Sequence, residues 1–364
     1  MTLSRYLLRR LGGSVLLVAG VFAGLLLLLD MVEQMRILTE YDVAFIRILH
    51  LAALNVPRTL HQIAPLIVVL ASMSLFLALS RASELVVVRA AGRSGARMMA
   101  PLFLAALVVG AAYVAVMNPL VASTSREYVR LLSALRGDPV STVSVTEDGL
   151  WLRQGTRTEQ VVIRAVGASP DGTRLTDATF LFFVPGEGVQ LRLQAGQAQL
   201  VPGAWELRGV KRWDLRASNP ERSSVAFAQL SVPTELTPSQ IRDNFARPGA
   251  IPIWELPGFI RALEGAGFAA LEHRVWLQME LSLPLLIAGM MLMASAASMH
   301  HARSGHAGLR ALATILAGFA LFFLRNLAQV LGENGQIPVA LATWSMPFAA
   351  TLLAVGLLLH LEES

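Results

Sequence analysis

The stretch that decides the fold is LFLALSRASELVVVRAAGRSGARMMAPLFL, residues 75–104. Two strongly apolar runs flank a short segment that mixes Arg, Glu, Gly and Ser. The middle piece is typical of a helix, because Ser83 can cap a helix N-terminus and Glu84 then lies in its first turn. The pattern predicts two membrane spans that are joined on one side of the membrane by a short, half-apolar helix.

The composition extends this prediction to the whole chain. Of 364 residues, 54% are hydrophobic and 15% are charged, whereas soluble domains carry about 25% charged residues. The net charge of +5 comes almost wholly from arginine, since Lys211 is the only lysine. The absence of cysteine excludes disulfides and thiolate metal sites. These values are typical of a polytopic membrane protein.

Six apolar runs approach the roughly 20 residues that a helix needs to cross a bilayer. The first run lacks a small-residue cleavage site, so we interpret it as an uncleaved span rather than a signal peptide. The predicted spans lie at about 11–30, 59–80, 98–118, 275–298, 307–328 and 338–360.

The arginines predict the orientation of these spans. Clusters precede the first span, separate the second from the third, and lie between the fourth and fifth. Arginine-rich loops face the cytoplasm. Both termini are therefore expected in the cytoplasm, and a loop at 31–58 and the segment 121–274 on the other side of the membrane.

The segment 121–274 has a different pattern. Residues 121–138 extend the third span as a helix, and 141–235 alternate with a period of two between Gly, Pro, Asp and Asn turns. Six to ten short strands predict an antiparallel sandwich or a jelly-roll-like β domain. The expected fold is a six-span helical membrane protein with an inserted β domain. Its expected domains are 1–120, with a cytoplasmic helix at about 82–92, then 121–274 and 275–364.

The motifs argue against catalysis by this chain. The segment GRSGAR, residues 92–97, lacks the Lys-Ser/Thr end of a phosphate-binding loop. Nucleophile elbows, H-E-x-x-H motifs and paired carboxylates within spans are also absent from the sequence. His300 and His301 are adjacent and would point apart on a helix, so they and His306 do not predict a metal site. For the 82–92 helix, two interpretations remain: it packs at the membrane interface, or it docks on a nucleotide-binding subunit.

Several stretches resemble the LptF/LptG family of lipopolysaccharide export permeases, most closely its LptG members of the alphaproteobacterial kind. The resemblance covers essentially the whole chain. The stretches that carry it are LLLDMVEQMR (27–36), ALSRASELVVVRAAGRS (78–94), EDGLWLRQG (147–155), MMLMA (290–294), FFLRNLAQVLGENGQIPVALATW (322–344) and LLLHLEE (357–363).

The resemblance implies a non-catalytic permease subunit of the Gram-negative inner membrane. Its expected partners are an LptF-like permease, a dimer of an LptB-like ATPase, and LptC- and LptA-like bridge proteins in the periplasm. Lipopolysaccharide is the expected substrate and nucleic acid is not an expected partner. The chain needs no cofactor of its own, because the ATPase subunit uses the ATP.

The resemblance also implies site residues. Glu84 matches the acidic position of the family's coupling helix, with Arg89 and Arg93 as docking contacts or as ordinary positive-inside anchors. The expected lipopolysaccharide contacts are guanidinium groups, which bind phosphate through paired hydrogen bonds. Arg36 and Arg58 match substrate-contacting positions of the family, and two arginines of the span-three extension match more loosely. These two are Arg126 and Arg130.

Each of these arginines has an alternative interpretation as an interfacial anchor or as the partner of Glu33 or Glu127. Asp30 departs from the family pattern, since better-studied relatives carry lysine there, and we expect it to pair with a nearby arginine. Glu280 and Arg325 lie inside predicted spans, where a Glu280–Arg325 pair is one hypothesis.

Three other functions are weighed against a subunit of the LptG kind. The first is the LptF-like partner subunit of the same transporter. The second is an ion-driven lipid transporter, which would need acidic residues in mid-span and inverted repeats. The third is a membrane-anchored periplasmic enzyme or assembly factor, which would need a polar constellation within 141–235. Recovery of an ATPase subunit in a pull-down separates the transporter subunits from the other two.

Overall fold

The structure, a computed structural model, describes most of the chain. The described residues are 2–41, 43–81, 95–136, 142–146, 149–155, 160–169, 172–184, 188–234, 236–237, 248–298 and 307–363. They divide into two compact units. The helical unit comprises Met1–Leu132 and Arg274–Ser364, and the β unit comprises Ser133–His273. The predicted helix at about 82–92, with Glu84, Arg89 and Arg93, lies outside the described residues, as do His300, His301 and His306.

Six helices of the described chain are long and apolar enough to cross a membrane, which confirms the predicted number of spans. A further short helix, α4, belongs to the β unit. The helices are α1 (Thr2–Ile37), α2 (Phe45–Arg81), α3 (Gly95–Arg136), α4 (Leu256–Gly265), α5 (Leu271–Ser298), α6 (Ala307–Glu333) and α7 (Val339–Glu363).

The predicted loop at 31–58 is wrong. Helix α1 continues to Ile37 and α2 already begins at Phe45, so most of this segment is helical. The physical reason is burial at helical spacing, because Ile48, Leu51 and Ala52 are all buried. With 36 residues, α1 is about 54 Å long and exceeds the roughly 30 Å of a hydrocarbon layer.

Helix α5 lies at the centre of the helical unit, where Met290, Met291 and Ala294 are fully buried. Its neighbours approach so closely that two glycines have no room for a side chain. A Cβ at Gly289 would lie 3.0 Å from the backbone nitrogen of Thr351 on α7. A Cβ at Gly110 on α3 would lie 3.0 Å from Cα of Pro284. Small residues at such crossings let membrane helices pack closely.

The β unit contains one seven-stranded antiparallel sheet, which confirms the predicted β domain. Its strands are β1 (Thr142–Thr146), β2 (Gly149–Gly155), β3 (Gln160–Ala168), β4 (Arg174–Val184), β5 (Gly188–Val201), β6 (Ala204–Asp214) and β7 (Val225–Pro233). Each described strand pairs with its neighbours in sequence. This order is a meander, so a jelly roll's Greek-key crossover is not found among the described strands.

The sheet's core lies on one face and centres on Trp205 of β6, which is fully buried. Its ring meets the ring of Phe180 on β4 edge to face, with centroids 6.2 Å apart. The buried face does not follow a period of two throughout. On β6 the buried positions run Trp205, Leu207 and then Val210, because Gly209 has a positive φ of 61° and is skipped in the pairing with β5.

Candidate substrate-binding site

Two hydrogen bonds tie α1 to α2 and α3 near the end at which α1 turns into α2, here called the turn end. Asn55 Nδ2 donates to Asp30 Oδ1 at 2.8 Å and joins α2 to α1. Gln34 Nε2 donates to the Tyr128 hydroxyl at 2.9 Å and joins α1 to α3. Gln34 is buried. These hydrogen bonds fix the depths of the predicted arginines relative to one another.

Three of the four predicted arginines lie at one depth. Arg36 follows Gln34 by two residues, and Arg126 and Arg130 flank Tyr128 by two residues on either side. At a rise of 1.5 Å per residue, each lies within about 3 Å of the Gln34–Tyr128 hydrogen bond along the helix axis. Arg36, Arg126 and Arg130 therefore form what we call the arginine layer.

Arg58 lies deeper than this layer. It follows Asn55 by three residues on the antiparallel helix α2, whereas Arg36 lies six residues beyond Asp30 on α1. The two arginines are thus separated by about 13 Å along the helix axes. The structure therefore does not place Arg36 and Arg58 at the same depth.

The salt bridges named as an alternative are present in the structure. Arg36 binds Glu33 through two hydrogen bonds of 2.6 and 3.0 Å, and Arg130 lies 3.4 Å from Glu127. Both pairs are exposed, and exposed ion pairs stabilise a fold only weakly. A guanidinium group has five N–H donors, so Arg36 retains donors for a phosphate oxygen while it is bound to Glu33.

Asp30 does not pair with an arginine as the sequence analysis expects. Its Oδ1 accepts the hydrogen bond from Asn55 instead. The Asn55 amide is uncharged. Asp30 and Asn55 both lie at least one helical turn farther from the turn end than Arg36. Asp30 therefore acts as a link between α1 and α2, and its carboxylate lies apart from the arginine layer.

Exposed apolar side chains line one face of α1, whose last turn carries Arg36, and one face of α6. On α1 they recur every four residues from Leu17 to Leu29, which places them on one stripe. On α6 a similar stripe contains Leu312, Leu316, Phe319, Phe323 and Leu327. The exposed side chains of the α1 stripe are Leu16, Leu17, Val21, Leu25, Leu28 and Leu29. Guanidinium groups above an apolar helix face suit an amphiphile that carries phosphates on its head.

A buried polar cluster lies deeper in the helical unit. His61 Nε2 on α2 lies 2.8 Å from Glu280 Oε1 on α5, and both side chains are nearly inaccessible. The Tyr113 ring on α3 stacks on the imidazole, with centroids 5.6 Å apart. In the structure Glu280 pairs with His61, and among the described residues no hydrogen bond or ion pair joins Glu280 to Arg325. The sequence did contain a signal for this cluster. His61 lies inside the apolar run at 59–80, and ionisable groups within spans are rare.

The β unit contains an exposed cluster that the sequence analysis missed. Two cations lie over the ring of Trp213, with the Arg192 guanidinium carbon 5.0 Å and Lys211 Nζ 4.8 Å from its centroid. Hydrogen bonds from Lys211 and from the Trp213 indole lower the pKa of Glu221. The described residues contain no group of three His, Cys, Asp or Glu that could hold a metal ion. The cluster thus stabilises the 214–224 turn and has no evident catalytic group.

Comparison with known proteins identifies the family. The family model described as lipopolysaccharide export system permease LptF/LptG matches residues 5–360. No curated protein matches the chain. The family match includes all six spans and the inserted β sheet, and members of this family are permease subunits of the lipopolysaccharide export system. Membership and the six apolar helices place the chain in the inner membrane. The chain belongs to the LptF/LptG family of lipopolysaccharide export permeases.

Proposed function

We propose that the chain is the LptG-like subunit of a transporter that extracts lipopolysaccharide from the inner membrane. In this proposal it pairs with an LptF-like permease, and an LptB-like ATPase dimer docks on the cytoplasmic side. Lipopolysaccharide then passes to LptC- and LptA-like proteins of a periplasmic bridge. The stretches 147–155 and 322–344 resemble LptG members, and they favour the LptG-like subunit over the LptF-like subunit.

The arginine layer above the apolar stripe of α1 is the observation that carries the proposal. Lipopolysaccharide has a phosphorylated head and several acyl chains. Arg36, Arg126 and Arg130 offer charge-assisted hydrogen bonds to phosphate, and the exposed leucines of α1 suit acyl chains. Arg58, about 13 Å deeper, would contact a second polar group nearer the acyl chains.

The proposed orientation places the turn end in the periplasm. The arginines near the N-terminus and on both sides of 82–94 then lie in the cytoplasm, as positively charged loops generally do. The β sheet is inserted between α3 and α5 and would face the periplasm. The segment 82–94 would face the ATPase.

The first prediction is that the purified chain hydrolyses no ATP by itself. The sequence lacks a phosphate-binding loop, so hydrolysis requires a separate subunit. Affinity purification of the tagged chain from native membranes, followed by a vanadate-sensitive ATPase assay, tests both statements. We expect an ATPase subunit in the purified complex and activity only in fractions that contain it. Hydrolysis by the isolated chain, or a complex without an ATPase, contradicts the proposal.

The second prediction concerns Glu84. We expect Glu84→Ala to lower transport at least severalfold and to leave membrane insertion unchanged, because a charge at a helix start contributes little to folding. The measurement is transport of lipopolysaccharide in proteoliposomes alongside the ATPase rate. Glu40→Ala is the matched control, since Glu40 is an exposed acidic residue at the turn end. Equal transport by both variants would show that Glu84 only stabilises its own helix.

A further inference from the structure

Glu280 lies where four membrane helices meet. It belongs to α5, and it contacts His61 of α2, whose ring stacks on Tyr113 of α3. Arg325 of α6 is close enough for an electrostatic interaction with Glu280. Glu280 and His61 are 4% and 5% exposed. Burial of a carboxylate costs free energy unless the group is paired and hydrogen-bonded. The hydrogen bonds of each Glu280 oxygen are therefore considered separately.

Only one oxygen of the Glu280 carboxylate is used. Oε1 forms the 2.8 Å hydrogen bond with His61 Nε2, whereas Oε2 is buried and has no hydrogen-bond partner among the described residues. Leaving such an acceptor unpaired is unfavourable, and more so for a charged group. The single bond to His61 thus leaves the Glu280 carboxylate incompletely satisfied, so that it can exchange this partner for a donor on a neighbouring helix.

Arg325 is placed to be that donor. Glu280 follows Leu271, the start of α5, by nine residues, and Arg325 precedes Glu333, the end of α6, by eight. Both side chains thus lie about 12–14 Å from the turn end of their helices. In the described part of the chain, neither an ion pair nor a hydrogen bond joins Arg325 to Glu280. The two charges are at the same depth and do not touch.

Helix α6 packs against α2 and α7 and leaves one face exposed. Its apolar stripe is exposed along most of its length, with Leu316 at 58% and Phe323 at 65%. It packs on α2 at a close crossing, where a Cβ at Gly318 would lie 3.3 Å from the Val69 side chain. Shifts of about 1–2 Å between packed helices are typical of switching proteins.

We propose that Glu280 is a two-position carboxylate that pairs with His61 in the state of this structure and with Arg325 in a second state, which α6 reaches by moving toward α5. The exchange needs no change in covalent bonds, because one acceptor group passes from a donor on α2 to a donor on α6. The proposal rests on the proposed function in one respect. It assigns the second state to the part of the ATP-driven cycle in which the cavity that holds the substrate closes.

The test uses the absence of cysteine from this chain, since introduced cysteines are then its only labelling sites, and the chain is labelled before it is combined with its partner subunits. Leu281→Cys on α5 and Leu316→Cys on α6 replace exposed side chains. Spin labels at these positions report the α5–α6 distance by pulsed electron resonance in the purified complex in nanodiscs. Three variants are compared with this parent: His61→Leu, Arg325→Met and Glu280→Gln.

The expected result is opposite shifts for the two partners of Glu280. His61→Leu should raise the population with the shorter α5–α6 distance by about fivefold or more, the lower range of typical coupling between sites. Arg325→Met should lower that population. In the Glu280→Gln background the effects of both substitutions should largely disappear. If His61→Leu does not fold, His61→Gln, which keeps a hydrogen-bonding side chain, gives a smaller shift in the same direction.

Two results overturn the switch. One is an unchanged distance distribution in all variants, which would make His61–Glu280 a fixed structural pair. The other is a shift in the same direction for His61→Leu and Arg325→Met. Vanadate trapping of the complex tests the link to ATP separately. If the variants shift the distance and trapping does not, the two-position carboxylate stands and its place in the proposed ATP-driven cycle is overturned.

Discussion

Replacement of Trp205 by alanine is expected to destabilise the β unit by about 3–5 kcal/mol, the usual cost of removing a large aromatic side chain from a core. The indole is fully buried and meets Phe180 edge to face. Alanine would remove this ring pair and leave a cavity between the strands. The sheet is an open meander, and a cavity at its centre weakens the packing of several strands at once.

Two further variants separate the packing of the ring from other effects. The Trp205 indole nitrogen is buried without a hydrogen-bond partner among the described residues. Trp205→Phe keeps most of the ring and removes this unsatisfied group, so its cost should be much smaller than that of alanine. Trp254→Ala is the matched control, because Trp254 is 70% exposed and surface substitutions usually change stability by about 0.5 kcal/mol or less.

Limited proteolysis of the full chain in nanodiscs, at increasing urea concentrations, measures the stability of the β unit. Cleavage within 133–273 is followed separately from cleavage in the helical unit. With a urea dependence of about 2 kcal/mol per molar, the midpoint of Trp205→Ala should fall by roughly 2 M. A midpoint equal to that of Trp254→Ala would show that the indole does not support the sheet.

The predicted spans and strands were accessible to sequence analysis because their signals are local. A run of apolar residues marks a span, and alternation marks a strand, whatever lies nearby. The same rule failed at 31–58. Gln34 and Asn55 lie outside the predicted apolar runs, but in the structure they form hydrogen bonds between helices. The sequence does not show whether a polar residue faces water or another helix.

Two further features depend on interactions between residues that are distant in sequence. The change of the buried face at Gly209 follows from the pairing of β6 with β5 and β7, where this glycine is skipped. His61 and Glu280 are 219 positions apart, and no local pattern links them. Such pairs are set by the packing of α2 against α5, which only the folded chain shows.

Charge reversal at the arginines should have the largest effect on substrate binding. We expect Arg36→Glu combined with Arg58→Glu to weaken lipopolysaccharide binding by roughly tenfold for each charge-assisted hydrogen bond that the substitutions remove. The lysine variants should bind with intermediate affinity, because lysine keeps the charge and does not have the planar fork that matches phosphate. Arg36→Glu also places a second carboxylate one turn from Glu33, which adds repulsion.

The different depths of the two arginines make the single variants informative. Arg36 is exposed, so salt should reduce the effect of Arg36→Glu strongly, since exposed charges are screened beyond about 10 Å at 0.1 M. Arg58 is less exposed, and the effect of Arg58→Glu should depend less on salt. Because the two sites lie about 13 Å apart, their separate effects should be nearly additive.

Binding of lipopolysaccharide to the purified complex, measured at two salt concentrations, decides between substrate binding and anchoring. Arg222→Glu is the matched control, because it makes the same change of charge on an exposed turn of the β unit. The expected order of affinity is the unmodified chain and Arg222→Glu, then the lysine variants, then the glutamate variants. If the double glutamate variant binds as well as Arg222→Glu, Arg36 and Arg58 only anchor their helices. The phosphates would then have to be bound elsewhere, and Arg126 and Arg130, at the depth of the Gln34–Tyr128 hydrogen bond, become the next residues to reverse.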